Sequence, residues 1–409
     1  MVLIALLLVL FLGRSWIAVV CNDLAAWCLE SRNQAAAGTL LGLSSFLNDD
    51  AAETHYLLAI QTRRERDFAA TRQHLKTAFE LGWDPAELER QQWIALAQTG
   101  QFEEIEGRWE DLFLNAGSDG PEISEAYADL LLARFDLESA LTVIAAWELD
   151  FPEDPRPHIR RGAVLGVVRN WKDAEQEYLA ALELDPDNHE ARLELAKCRM
   201  EQLRFDEALP DLRRIVQEDP QNDEAIVSLS VCLRRLQRTE EAITLLEENA
   251  DALGTNLDAL REMARARIDR EQPEEALKFL AKAIEINPID REIRYLNAQA
   301  LQSAGREDDA QAEFDFVNEA TRPVLRLTQL VPRLVDEPAN IELRYEIADI
   351  TWKYKSKQEG ANWFLSLLQF DPDHSLTHAA LARHYEETGE PERAALHRAR
   401  ASSGTPEAD

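Results

Sequence analysis

The sequence predicts an all-α chain: a right-handed superhelical solenoid of 34-residue helix–turn–helix units. Three observations predict it. Small residues recur on a 34-residue ruler whose first place is His189: Gly162, Ala196, Ser230, Ala264 and Ala298 at the eighth, Ala174, Ala208, Ala242, Ala276 and Ala310 at the twentieth. Proline closes units at the thirty-second place, as in Asp185-Pro186 and Asp219-Pro220. Glycine is sparse, at 15 of 409 residues, and 29% of residues are charged, as exposed helices require.

Each part of the unit has a physical reason. In residues 189–222 the eighth and twentieth places face each other across two helices, and large side chains at both would force the axes beyond about 8–10 Å. Apolar Leu195, Phe205, Leu212 and Ile215 supply the filling between them. The proline stands after the second helix, which it stops without removing an internal hydrogen bond.

Taken in order, residues 1–20 form an apolar run broken by Arg14, and residues 21–154 are degenerate repeats. Ala25 and Ala37, Ala59 and Ala78, and Ala128 and Ala140 mark the ruler there. Residues 86–119 are the least regular unit, with Trp93 at the small eighth place and Ile105 at the twentieth. Residues 155–324 are the regular block. Residues 325–340 are a helical insertion containing Pro332, read as a prolonged or kinked second helix. Residues 341–401 resume the ruler, with Ala348 at the eighth place and Gly360 at the twentieth. The final helix, 391–401, carries a polar face of Arg393, His397, Arg398 and Arg400 that suits a cap, and 402–409 reads as a disordered tail.

The run through Val20 reaches about the 20 residues a bilayer span needs. An uncleaved anchor and a secretory signal compete for it. No basic residue precedes the run and no A-x-A pattern follows, which favours an anchor. The net charge of −32 argues against nucleic acid, whose phosphates would be repelled, and keeps a long solenoid dissolved.

No catalytic constellation is visible: there is no phosphate loop, no G-x-S-x-G and no H-E-x-x-H, so no enzyme, cofactor or small-molecule substrate is expected. His374 and His378 share a helix face but lack further ligands, and read as solvated or capping residues rather than a metal site. Cys198 and Cys232 lie one repeat apart, near the outer limit for a disulfide, and Cys21 and Cys28 are too far apart along one helix.

The small places and the proline together resemble the tetratricopeptide repeat, strongly over 155–324. That resemblance implies a protein-interaction scaffold whose first helices line a concave groove, with contacts from places 2, 5, 9, 12 and 13. Carried onto this chain, they give Lys197, Val227, Val231, Arg234, Arg235, Arg261, Arg265, Ile268, Tyr295 and Gln299. The cations suit an acidic peptide, with Arg234, Arg235, Arg261 and Arg265 at the centre; equally, they can pair with Glu190, Glu201, Glu224, Asp258 and Asp269 on the same surface. The lysine–asparagine set by which some members grip a carboxy-terminus is absent. The chain also resembles membrane-anchored bacterial repeat proteins, which implies a membrane tether through 1–20 and a solenoid on the periplasmic side of a bacterial inner membrane.

Overall fold

The computed structural model describes the backbone of residues 2–31, 33–48, 50–105, 107–250 and 252–403, and side chains from 14 to 402 outside those gaps and residue 103. Among these residues every regular element is helical, in eleven successive pairs. They are α1 (Val2–Glu30) with α2 (Gln34–Leu47), α3 (Ala52–Arg64) with α4 (Phe68–Glu80), α5 (Pro85–Gln98) with α6 (Trp109–Leu114), and α7 (Gly120–Ala133) with α8 (Leu137–Asp150). Then come α9 (Arg156–Val167) with α10 (Trp171–Leu184), α11 (His189–Glu201) with α12 (Phe205–Glu218), α13 (Asp223–Arg235) with α14 (Thr239–Glu248), and α15 (Leu257–Asp269) with α16 (Pro273–Ile286). The last are α17 (Arg291–Ser303) with α18 (Glu307–Asp336), α19 (Ile341–Tyr354) with α20 (Lys357–Leu367), and α21 (Ser375–Glu387) with α22 (Pro391–Ser403). The tail beyond Ser403 lies outside the described residues.

The turn inside a pair is built the same way in most pairs, the α19–α20 turn with Lys355 at φ −131° being an exception. Place 15 is left-handed at Arg66, Phe135, Arg169, Leu203, Gln237 and Glu271, and at Gly100, Gly305 and Gly389. The next residue then donates back to place 11, as Arg204 N to Arg199 O (2.9 Å) and Gln272 N to Arg267 O (2.9 Å). This bond pattern closes a helix and satisfies its last carbonyls. Between pairs, Asn188, Asn222, Asn256, Asp290 and Asn340 cap the following helix by accepting from a first-turn N–H.

The small places do what their size implies. Ala196, Ala208, Ala242, Ala264, Ala276, Ala298 and Ala310 are all buried. A Cβ on Gly162 would lie 2.6 Å from the Tyr178 ring, and one on Gly360 would meet the Trp352 backbone at 2.5 Å. A second device joins the helices of a pair. Place 4 of the first helix meets place 23 of the second in His55 with His74, His158 with Glu177, Arg192 with Asp211, Arg294 with Glu313, and His378 with His397. Place 4 also donates backwards to the proline carbonyl of the preceding turn, as Arg294 to Pro288 (2.8 Å) and His378 to Pro372 (2.8 Å).

The chain divides into two compact units, 1–130 with 142–154, and 131–141 with 155–409. In the first, a buried network replaces regular packing. Arg63 and Arg64 both reach Asp119 Oδ1, at 2.6 and 2.8 Å, and Gln91 donates to its Oδ2 at 3.1 Å. Burial works to raise the Asp119 pKa, but the two guanidiniums outweigh it and hold the carboxyl well below its usual range. The irregular unit is visibly broken. Trp93 at the eighth place leaves no room for a regular second helix, and the chain instead makes a 3-10 turn over Phe102–Ile105, a left-handed Gly107 and the short α6.

In the second unit, α18 extends through Pro323 and Pro332 to Asp336 as one helix of 30 residues. Its extra length carries Leu330 and Leu334 onto Phe135, Leu343 and Ile347. Arg344 locks that junction. Fully buried, it donates to the carbonyls of Pro338 (2.7 Å), Arg134 (2.9 Å) and Phe135 (3.4 Å) and to Ser366 Oγ (3.0 Å). Its guanidinium also lies over the Phe370 ring at 4.6 Å.

The membrane tether is corrected by the first pair. Among the described residues no helix is long and apolar enough to cross a membrane. The apolar run is the start of α1, and from Arg14 onward that helix belongs to the solenoid. Arg14 donates to Phe46 O (3.2 Å), Ser44 to Ala18 O (3.2 Å), and Asn22 to Thr54 Oγ1 (3.0 Å). Ala18, Cys21, Ala25 and Cys28 are buried in the solenoid, so residues 14–20 are not free to complete a span, and an inner-membrane location falls with it. Residue 1 and the side chains of residues 2–13 lie outside the description.

Two smaller expectations also change. His378 is fully buried and His397 nearly so, paired at 2.8 Å, so neither is solvated and the cap's polar face excludes His397. His374 does cap α21. The four cysteines are free and buried.

Candidate functional site

The first helices α11, α13, α15 and α17 present the residues singled out from the sequence. Their cations are paired. Lys197 donates to Glu194 (2.6 Å) and to Glu224. Arg234 Nε donates to Glu262 (2.8 Å), and Arg261 to Asp258 (2.6 Å). Arg265 spans Glu262 (2.5 Å) and Glu292. Glu262, nearly buried on α15, thus receives arginines from two helices, and Glu292 of α17 receives Arg265 and, at 3.4 Å, Arg261. Burial works against the charge on Arg265, but Glu262 and Glu292 outweigh it and raise its pKa. The three arginines and the carboxylates Asp258, Glu262 and Glu292 form a neutral lattice rather than a bare cationic patch. Of the pairings anticipated, Asp258 and Glu224 take part; Glu262 and Glu292 carry most of the rest.

The remaining residues separate. Arg235 turns away to lie over the Phe205 ring at 5.2 Å, so it does not join Arg234. Val227 is core, packed among Ile226, Leu246 and Met263, so it does not serve as a surface contact. Val231 is partly buried on α13. Arg265, Ile268, Tyr295 and Gln299 do come together. With Asp269, Arg291, Glu292 and Leu296 they line an open groove of about 450 Å³ between α15 and α17. Tyr295 is 42% exposed, its ring edge against Phe314 and its hydroxyl accepting from Gln299 Nε2 at 3.0 Å. The lining combines apolar Ile268, Leu296 and the Tyr295 ring with the Arg265–Glu292 pair and the Gln299 amide. Such a surface can hold an apolar side chain while its polar residues serve main-chain or carboxylate groups.

Near the carboxy-terminus, Trp352 has cations over its ring from Lys357 (5.2 Å) and Arg383 (5.9 Å). Tyr345 packs against Phe364 and His374, each at 5.5 Å. Among the described residues no group of three or more His, Cys, Asp or Glu could hold a metal ion. Sequence reasoning missed an apolar groove between α4 and α5, although Trp93 at a small place signalled that something there is displaced.

Comparison with known proteins agrees with the repeat assignment. Tetratricopeptide-repeat family patterns match residues 161–223, 200–268 and 267–323. No curated protein matches the chain. Similar solved structures include MamA 41-end from Desulfovibrio magneticus RS-1, 18% identical, covering 42% of this chain and 96% of that one with a TM-score of 0.36. YrrB, described as a TPR protein with an unusual peptide-binding site, is 23% identical over 45% of this chain and 91% of its own, with a TM-score of 0.35. A tetratricopeptide repeat protein from Parabacteroides merdae ATCC 43184 is 16% identical over 62% of this chain and 94% of its own, with a TM-score of 0.35. None of these supports kinship with the membrane-anchored bacterial type. Residues 161–323 thus match tetratricopeptide-repeat family models and lie in a chain of helical hairpins.

Proposed function

We propose that this protein is an interaction scaffold that holds a peptide segment of a partner in the groove between α15 and α17. The observation that carries the reading is the grouping of exposed Tyr295 with Ile268 and Leu296 beside the Arg265–Glu292 pair. An apolar side chain of the partner lies on those three residues. A partner carboxylate replaces Glu292 at Arg265 and Arg261, which are already oriented by Glu262 and Asp258, so little ordering is needed on binding. Arg234 extends the lattice onto α13 through Glu262, and Lys197 forms a separate pairing with Glu194 and Glu224.

The test compares affinity capture by the wild-type chain with capture by Ile268→Ser/Tyr295→Ser and by Arg261→Glu/Arg265→Glu, followed by titration of the recovered partner. Both variants should weaken binding, the first by at least tenfold, and added salt should weaken it further. Undiminished binding by both would remove the site from this groove. The Tyr345 and Trp352 surface would then be the next to test.

A further inference from the structure

The first unit holds a second groove, of about 510 Å³, between α4 and α5. Its apolar lining is Phe68, Leu75 and Phe79 from α4 and Leu88 and Leu96 from α5, with Phe79 63% exposed. The repeat register identifies what such a surface normally meets. In a regular pair, place 4 of the first helix touches place 23 of the second, and places 7 and 11 face the same helix: Arg192 and Arg199 both reach Asp211, and Arg294 and Asn297 both reach Glu313. Place 28 of the preceding second helix joins them, as Val216 does with Ile226 and Leu245.

In the irregular unit these places are Glu89, Gln92 and Leu96 on α5 and Phe79 on α4, and all four line the open groove. The segment that should cover them has gone elsewhere. Arg108, at the twenty-third place that should meet Glu89, instead lies over the Trp93 ring at 4.7 Å, and the second helix is cut to the 3-10 turn Phe102–Ile105 and the six residues of α6. The groove is therefore a helix seat whose own helix has been displaced.

We propose that this seat takes an amphipathic helix from a partner protein, apolar on one face and bearing carboxylates along one edge. The charge of the α4 wall sets that edge, the α5 wall opposite carrying Glu89. Arg72 and Lys76 stand one turn apart and exposed on the α4 wall. The carboxylate partner of Lys76 is Glu80 at 3.9 Å, a solvent-exposed pair that gives way easily. The seat runs along 13 residues of α4, which accommodates a helix of about three to four turns. This surface is separate from the groove between α15 and α17, so the chain carries two distinct docking sites.

The probe is a fluorescein-labelled peptide of residues 273–286, the sequence of α16, which fills the corresponding place in its own repeat and carries Glu274, Glu275 and Glu285 beside Leu277, Leu280 and Ile284. Titrated with the full chain and read by anisotropy, it should bind saturably. Phe79→Ser/Leu96→Ser should weaken it at least tenfold. The exposed pair Arg72→Glu/Lys76→Glu, which leaves the fold intact, should weaken it several-fold, and Ile268→Ser/Tyr295→Ser should not affect it. Absence of binding, binding that survives both groove variants, or binding lost with Tyr295 would overturn the proposal. Self-association of the chain that Phe79→Ser abolishes would assign the seat to a second copy and overturn the partner helix as well.

Discussion

Leu203→Gly should make this protein more stable, although it removes a leucine. Leu203 sits at φ +62° in the turn between α11 and α12, with its side chain 68% exposed. A non-glycine residue in that region costs about 1–2 kcal/mol. Glycine relieves this cost but raises chain entropy in the unfolded state, which returns about 0.5–1 kcal/mol. The net expectation is a gain of about 0.5–1 kcal/mol, or about 0.2–0.5 M in urea midpoint followed by circular dichroism. Leu203→Ala keeps the strained backbone and should give no gain, which separates the backbone effect from loss of the side chain. Gly305→Ala, at φ +77° in the equivalent turn between α17 and α18, should lose about 1 kcal/mol. Gln217→Gly, exposed within α12, should also destabilise, by about 1 kcal/mol. If Leu203→Gly and Leu203→Ala gave equal midpoints, the left-handed turn would not carry the strain assigned to it. Repeat arrays unfold in parts, so midpoints should be compared within one probe.

Three further outcomes follow from the packing. Ala208→Trp, at a fully buried small place, should destabilise by about 3 kcal/mol or more through overpacking, whereas exposed Glu247→Gln should shift the melt by less than about 0.5 kcal/mol; the reverse ranking would refute the register. Arg344→Ala removes four hydrogen bonds and leaves the carbonyls of Pro338 and Arg134 without that donor, at about 3 kcal/mol in the second unit, measured by urea unfolding; a change below about 1 kcal/mol would show that water replaces the guanidinium. His397 is held down to about 4 by burial, then by His378, Arg400 and Arg393, against an ordinary value of 6.5. The unfolded chain therefore binds the extra proton between pH 6.5 and 4, and stability contributed by neutral His397 is lost as pH falls through that window. His397→Leu should reduce the slope of stability against pH there, and an unchanged slope would refute the assignment.

Much of this architecture was legible because contacts in a repeat array are local. Ala196 meets its own second helix and its neighbours, so a 34-residue period of small places encodes the packing directly. The break in the third pair was likewise signalled, by Trp93 where an alanine belongs. What the sequence could not decide was which partners long side chains choose. Arg234 and Arg235 are adjacent, yet one reaches Glu262 on the next helix and the other lies on Phe205, because successive residues of a helix point about 100° apart. Glu262 and Glu292 gather three arginines only once α13, α15 and α17 stand side by side. Arg344 is held by backbone carbonyls about 210 residues away, and a carbonyl leaves no mark on composition or spacing. Nor could the apolar run at the start reveal its use. Hydropathy is the same for a helix in lipid and a helix against α2 and α3, and only the bonds of Arg14, Ala18 and Asn22 place α1 in the solenoid from Arg14 onward. The period and its small residues determined the hairpins; the pairing of charges and the groove between α4 and α5 arose from the three-dimensional arrangement, where distance along the chain no longer measures distance in space.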